Sequence, residues 1–326
     1  MMLSSVAERV YWMSRYLERT ENVARLASVH TLLLMDLPGE MEINWYTLVK
    51  LFNADELFFQ KYNRASEANV MSFLIADRDN PGSLLSTFWY VRENVRTSLD
   101  LLPDATWEQV NQANITMNSS ITSITNRHAR QKLLRMLLRQ CQTMRGIIDG
   151  HMSRNNAYRF MQIGKYLERT DMTSRILEMT SLLLSKTRSD NLRKYEGILW
   201  TNLLQALSAR QMYQQQVRSR VRGSDVLPFL MMDQDFPRSL YYTLTAVGGY
   251  LQQLPAPGTP LVVQQQVLTH LKQQDIPSLL PEGQVHTVMD YLQGELGLLH
   301  TEIAKTWFYP DRGEQQQMQS QTQTQG

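Results

Sequence analysis

Arg15-Tyr16-Leu17-Glu18-Arg19-Thr20 returns 150 positions later (18 to 168) as Lys165-Tyr166-Leu167-Glu168-Arg169-Thr170. The flanks keep the same register. Ala7 falls on Ala157, Arg9 on Arg159, Arg25 on Arg175, and Leu32-Leu33-Leu34 on Leu182-Leu183-Leu184, while an acid follows each threonine, Glu21 and Asp171. A run of identities with matched flanks at a fixed offset marks a duplicated segment. Projected as a helix at about 100° per residue, Arg15, Glu21, Asn22 and Arg25 lie within about 60° of Glu18. Met13, Tyr16, Val23, Ala24 and Ala27 take the opposite side, and in the second copy Lys165, Asp171 and Arg175 flank Glu168. Each copy is therefore expected to be an amphipathic helix with an acidic-basic stripe. Adjacent Glu and Arg do not face each other on a helix, so Arg19 is expected to meet another element. Arg9 and Arg159 fall on the apolar side, where a charge needs a partner or an exit to water.

A second block recurs at a different offset. Phe73-Leu74-Ile75-Ala76-Asp77-Arg78-Asp79-Asn80-Pro81-Gly82-Ser83-Leu84 matches Phe229-Leu230-Met231-Met232-Asp233-Gln234-Asp235-Phe236-Pro237-Arg238-Ser239-Leu240, and Thr87 matches Thr243. The pattern predicts a helix start, with Asp or Asn capping free amides and Pro in the first turn. Ser5 and Glu8 have capping-box spacing, so the first long helix is expected from Ser5 to about Met35, stopping before Pro38-Gly39. Asn155 is the equivalent cap in the second copy. Asn44 should start a helix through Trp45, Leu48 and Phe52 to about Lys61, with a counterpart over 194–216 that places Trp200 near Trp45's position. Further helices are expected through Phe88, Trp89 and Val95, through Tyr241, Leu244 and Val247, and over 107–118, 119–150, 261–272 and 284–308. Pro255, Pro257, Gly258 and Pro260 mark a loop, and 185–194 a polar turn. The chain thus reads as all-α, a helical bundle of two tandem pseudo-repeats, about 1–150 and 151–312, fused with an approximate internal two-fold. The Gln-rich tail, 313–326, is expected to be disordered.

Composition narrows the classes. A formal net charge of +2 over 326 residues argues neither for nor against nucleic acid. Cys141 stands alone, which removes a disulfide framework or a cysteine metal cluster and suits a reducing cytoplasm. No apolar run approaches the roughly 18 residues of a membrane span, and no signal core opens the chain. The expectation is a soluble cytoplasmic protein.

Candidate chemistry centres on Glu18, Arg19, Arg25, Glu168, Arg169 and Arg175. One reading makes them ion pairs, solvated or internal. The other makes them a polar cleft shared between the repeats, with Glu18 or Glu168 as a general base and the arginines holding a carboxylate or phosphate. The residues leave open whether the protein is an enzyme. Asp77/Asp79 and Asp233/Asp235 could hold Mg²⁺, but capping explains them without metal, and no metal site is assigned. Arg210, Arg218, Arg220 and Arg222 read as a solvated helix end rather than a nucleic-acid surface. The histidines form no His-Glu-x-x-His or Glu-x-x-His, and there is no phosphate-binding glycine loop, so no cofactor is implied. Cys141 reads as a core thiol.

The opening from Leu3 to Leu26, Val91-Arg92-Glu93-Asn94-Val95-Arg96, the segment from Gly164 to Met172, and Asp235-Phe236-Pro237-Arg238-Ser239 resemble the bacterial alpha-E domain proteins over about 1–310. Thr20 and Thr170 stand where that family commonly has Ala. The resemblance implies an all-helical fold with a Glu-Arg motif. It also implies a setting beside a circularly permuted ATP-grasp ligase and a transglutaminase-like cysteine protease. The expected role is therefore a non-catalytic helical partner in peptide or amide ligation. The alternative is an enzyme or substrate-binding protein using the Glu/Arg cleft.

Overall fold

The computed structural model describes residues 3–37, 43–186, 195–218, 220–281 and 283–309. Among these residues every regular element is helical. The chain runs α1 (Ser4–Asp36), α2 (Tyr46–Leu51), α3 (Asp55–Phe59), α4 (Glu67–Ile75), α5 (Leu84–Arg96), α6 (Asp104–Ser120) and α7 (Arg127–His151). It continues with α8 (Asn156–Lys186), α9 (Glu196–Ala206), α10 (Arg210–Gln216), α11 (Gly223–Met232), α12 (Leu240–Leu251), α13 (Gly258–Lys272), α14 (Ile276–Leu279) and α15 (Val285–Ile303), then a π-turn, Ala304–Phe308. The expected tail over 313–326 and most of the 185–194 turn lie outside the described residues.

The two copies of the repeated stretch, α1 and α8, lie against each other at the centre. Helices α5 and α7 pack on α1, and α12 and α15 pack on α8. Helix α6 covers α5 and α7, and α13 covers α12 and α15. One hydrophobic cluster runs from Ala7 to Phe308 through both parts of the chain. Because the central helices are enclosed by neighbours on several sides, they bury polar as well as apolar positions. Along α1, Glu18, Thr20, Glu21, Asn22 and Thr31 are buried together with Val10, Leu17, Ala24 and Ala27. A helix enclosed in this way has no solvent face for its polar stripe. The charged stripe expected to be amphipathic is thus an interior seam. Gly164 permits the close approach of α8 to α1, since a Cβ there would collide with the Tyr11 carbonyl.

Several helix boundaries differ from the sequence expectation for local reasons. Helix α1 starts one residue before Ser5, and its N-cap, Leu3, makes no side-chain cap bond, so the Ser5–Glu8 capping box does not form. Asn155 does receive the Tyr158 amide (3.2 Å), and Asn44 the Tyr46 amide (2.9 Å). The helix expected from Asn44 to Lys61 is broken between α2 and α3 at Asn53, whose φ is 51°, and the one expected over 194–216 is broken at Ser208, φ 53°. A left-handed residue ends a helix because the chain can no longer offer its carbonyls in line. In the Asp-x-Asp-x-Pro-x-Ser blocks the caps are the serines. Ser83 accepts from the Ser86 amide and Ser239 from the Tyr242 amide (3.1 and 3.0 Å). The aspartates instead close the preceding turns, Asp77 onto the Asp79 amide and Asp233 onto the Asp235 amide. The prolines sit in those turns, before the helices begin. Residues 119–150 are likewise not one helix but the end of α6, a 3₁₀ turn over Ile121–Ser123, and α7, which starts after its Asn126 cap.

Candidate functional site

Glu18 and Glu168 point into the seam between the long helices, and each is bound by arginine from the opposite helix. Arg169 grips Glu18 with both arms, Nε to Oε1 and Nη2 to Oε2, each 3.0 Å. Arg19 grips Glu168 the same way, Nε to Oε1 at 2.5 Å and Nη2 to Oε2 at 3.0 Å. Each Glu-Arg motif is therefore completed by the other copy, and neither glutamate has any exposed surface. Forked pairs of this kind are strong and direction-specific because the planar guanidinium matches the carboxylate edge.

The two glutamates belong to separate networks of unequal make-up. Around Glu18, Arg238 donates Nη1 to Oε1 (3.0 Å), and Arg145 places Nη2 at 2.5 Å from Oε2 as an ion pair without hydrogen-bond alignment. Arg238 also reaches Glu21 and Asn22 (3.0 and 3.1 Å). Glu21 is further bound by Arg25 and Arg145. Around Glu168 the only further cation among the described residues is Arg15, Nε to Oε2 at 2.8 Å, while Asp171 pairs with Arg175 at 2.9 Å. Burial alone would raise the Glu18 carboxyl, but Arg145, Arg169 and Arg238 together hold it well below the usual carboxylate range. Glu168 shows the same balance, burial outweighed by Arg19 and Arg15, and its carboxyl is also lowered. The surplus of positive charge appears on the cations. Burial and Arg169 push Arg238 down to about 10 and Lys165 down to about 8.

Both networks are anchored in matching ways. Thr20 bonds Thr87 (3.0 Å) and Thr170 bonds Thr243 (2.9 Å), tying each long helix to the first turns of α5 and α12. Helices α7 and α15 present buried residues in one register, Leu137 with Leu292, Cys141 with Leu296, and Met144 with Leu299. In that register Arg145 corresponds to His300. His300 accepts or donates to the Tyr11 hydroxyl (2.9 Å), and burial with Arg15 nearby lowers its pKa to about 4, so it is neutral at pH 7.

Six candidates were named from the sequence. Arg19, Glu168 and Arg175 line a cavity of about 450 Å³ between α1, α8, the Phe52–Leu57 bend and the Asn80–Gly82 turn. Glu18 and Arg169 are closed off in the other network, and Arg25 lies beside them on Glu21. The sequence reading missed Arg145 and Arg238, and it did not place Arg15 at the site. Arg238 carried a usable signal, since it replaces Gly82 between the matched Pro and Ser of the two blocks. Arg145 carried none short of the burial register. Arg9 and Arg159 are half-buried. Arg159 bonds Asn156 and Gln253, whereas the buried Nε of Arg9 has no hydrogen-bond partner.

The aspartate turns are not arranged for metal. Asp77 is occupied by Lys61 and Tyr62, and Asp233 by Gln216 and backbone amides. Among the described residues no three metal-competent side chains converge. Burial pushes the Cys141 thiol well up, with Glu21 adding to the effect, so it is unreactive in place. Arg210 at the start of α10, Arg218 and Arg220 in the loop after it, and Arg222 at the N-cap of α11 are exposed. No described helix is long and apolar enough to cross a membrane.

The architecture and its centre define a class: an all-helical domain whose two longest helices are joined through reciprocal Glu-Arg pairs. The chain belongs to the Alpha-E family, described as "a predicted alpha-helical domain with a conserved ER motif", whose model matches residues 2–308. No curated protein and no solved structure matches it.

Proposed function

We propose that this protein is a non-catalytic helical partner of a bacterial, cytoplasmic ATP-grasp peptide- or amide-ligation system, in which the Glu-Arg motifs hold the two central helices together. The observation that carries the non-catalytic part is the state of the glutamates. Glu18 and Glu168 have no exposed surface, are each forked by an arginine of the opposite helix, and are held ionised far below neutrality. A general base needs access to its proton and a pKa near the working pH. The ligase, and a transglutaminase-like protein with it, enter as partners through the family resemblance. The approximate internal two-fold belongs to the same reading and is supported by the exchanged Glu-Arg pairs and the Thr20–Thr87 and Thr170–Thr243 bonds. Co-purification of the tagged protein with the ATP-grasp ligase encoded nearest to it, at moderate salt, tests the proposal. A stoichiometric complex is expected, and its absence overturns the partner assignment.

A second reading has one observation of its own. The cavity beside Arg19, Glu168 and Arg175 has the size and mixed charge of a small-molecule or side-chain site. In that reading the protein binds a substrate or a peptide in a Glu/Arg-lined cleft.

A further inference from the structure

We infer that the cavity beside Gly82 is a binding site for a guanidinium group, an arginine side chain presented by a peptide or by the free amino acid. The inference deepens the second reading above and does not depend on the ligase.

The template lies in the chain itself. In the second block, Arg238 follows Pro237 and enters the seam. Its guanidinium touches Glu18 Oε1, Glu21 Oε1 and Asn22 Oδ1, all within 3.0–3.1 Å, and it is buried. In the first block the residue following Pro81 is Gly82. The positions matching Glu18, Glu21 and Asn22 are Glu168, Asp171 and Met172, and these three line the cavity together with Gly82. The cavity therefore sits where a counterpart of the Arg238 side chain would lie.

The acceptor left open is the matching one. Glu18 Oε1 takes two donors, Arg169 Nε and Arg238 Nη1. Glu168 Oε1 takes one, Arg19 Nε. A carboxylate oxygen has room for a second donor, so among the described donors Glu168 Oε1 keeps the acceptor direction that Arg238 fills on Glu18; its side chain has no exposed surface, so a guanidinium reaches it only as the partly exposed Arg19 shifts. Asp171 uses Oδ2 for Arg175, and no described donor occupies its Oδ1.

Charge favours a cation more at the cavity than at its template. The lining carries three acids, Glu56, Glu168 and Asp171, against Arg19 and Arg175, with Arg15 behind Glu168. The Arg238 position is held by two acids, Glu18 and Glu21, already facing Arg25, Arg145 and Arg169. It still accepts a guanidinium. At the cavity the register position of Arg145 is His300, which is neutral. Arg19 and Arg175 remain partly exposed, at 28% and 22% of their side chains, and could meet a carboxylate on the same ligand.

Gly82 also offers a clean way to close the site. A Cβ at position 82 would meet only the Asn80 side-chain oxygen, at 3.2 Å. Gly82→Arg should therefore fill the cavity from within, as Arg238 does opposite.

The test is titration calorimetry of the full chain with N-acetyl-arginine-methylamide, with the lysine and norleucine analogues, free arginine and glutarate as further probes. One blocked arginine per chain is expected to bind wild type. The lysine analogue should bind about tenfold more weakly, because an ammonium lacks the fork. The norleucine analogue should not bind. Gly82→Arg should lose binding while gaining thermal stability, and Asp171→Asn should weaken it about tenfold or more, the loss of one charged acceptor. Arg238→Gly should acquire a second site and be partly restabilised by the probe. Tighter binding of free arginine than of the blocked form would assign the natural source to the amino acid, and the reverse order to a peptide. Equal binding by wild type and Gly82→Arg, or by the arginine and norleucine analogues, overturns the inference. Glutarate binding that depends on Gly82, without arginine binding, overturns the guanidinium assignment but leaves a cleft. Binding of none of these probes removes both.

Discussion

Replacing Glu18 by Gln should cost more stability than replacing Glu168 by Gln, although the two residues occupy equivalent places in the repeated stretch. Glutamine keeps the shape and one acceptor oxygen but removes the charge. At position 18 that charge answers Arg145, Arg169 and Arg238, and at position 168 it answers Arg15 and Arg19. Removing one side of a buried ion pair costs about 3–5 kcal/mol, because the partner is left charged and enclosed. Glu18→Gln should lie at the upper end of that range. Arg238 is already driven down to about 10 and would keep Glu21 as its one charged partner among the described residues. Glu168→Gln should lie at the lower end, since Arg19 can turn toward solvent. Urea unfolding followed by far-ultraviolet circular dichroism reads both losses as shifts in midpoint at constant slope. The double variant adds a check. The two glutamates share no arginine, so their losses should add to within about 0.5 kcal/mol. Losses under about 1 kcal/mol, or a larger loss at position 168, would refute the buried-network reasoning.

Three further outcomes follow from the same geometry. The carboxyls of Glu18, Glu21 and Glu168 lie below their ordinary value of 4.5, so the unfolded chain takes up protons first as pH falls. The melting temperature should hold above about pH 5 and drop steeply below the ordinary carboxylate value, and a flat profile to pH 3 would contradict this. Lys165 has the opposite sense. Its folded value is about 8 against 10.5, so stability should rise as pH climbs between the two, and Lys165→Met should gain about 1–3 kcal/mol at pH 7 and abolish that rise. Gly164→Ala should destabilise by about 1–3 kcal/mol or more by forcing α8 off the Tyr11 carbonyl. Gly146→Ala on α7, where a Cβ meets nothing within 4 Å, should instead gain about 0.5–1 kcal/mol, and equal effects in calorimetry would rule out the close-approach account.

The helices, their order and the importance of the repeated stretch were legible in the sequence because each rests on local pattern. Duplication, proline and glycine breaks, and side-chain caps such as Asn155 are written within a few residues. What stayed hidden depends on three dimensions. A helical projection shows the stripe on α1 but not that α8 covers it, so a seam reads as a solvent face. The breaks at Asn53 and Ser208 turn on single left-handed residues, and nothing in the neighbouring sequence marks Ser208 as one. Arg145 reaches Glu18 and Glu21 from more than a hundred residues away, on a helix whose basic residues are mostly surface. Arg238 was visible as a mismatch inside a match, and its meaning needed the contacts.

The exchange of arginines between α1 and α8 has a consequence for what a chain of half this length could be. A single copy would bury a glutamate without the forked guanidinium that meets it here. Two such chains, docked as α1 docks on α8, would each supply what the other lacks, so the smallest viable unit would be a pair. Identical chains would also be bound to identical seams: both plugged by an arginine after the proline, or both open with a glycine there. Joining the copies end to end lifts that constraint. It lets one seam serve as a permanent bolt while the other stays unlatched.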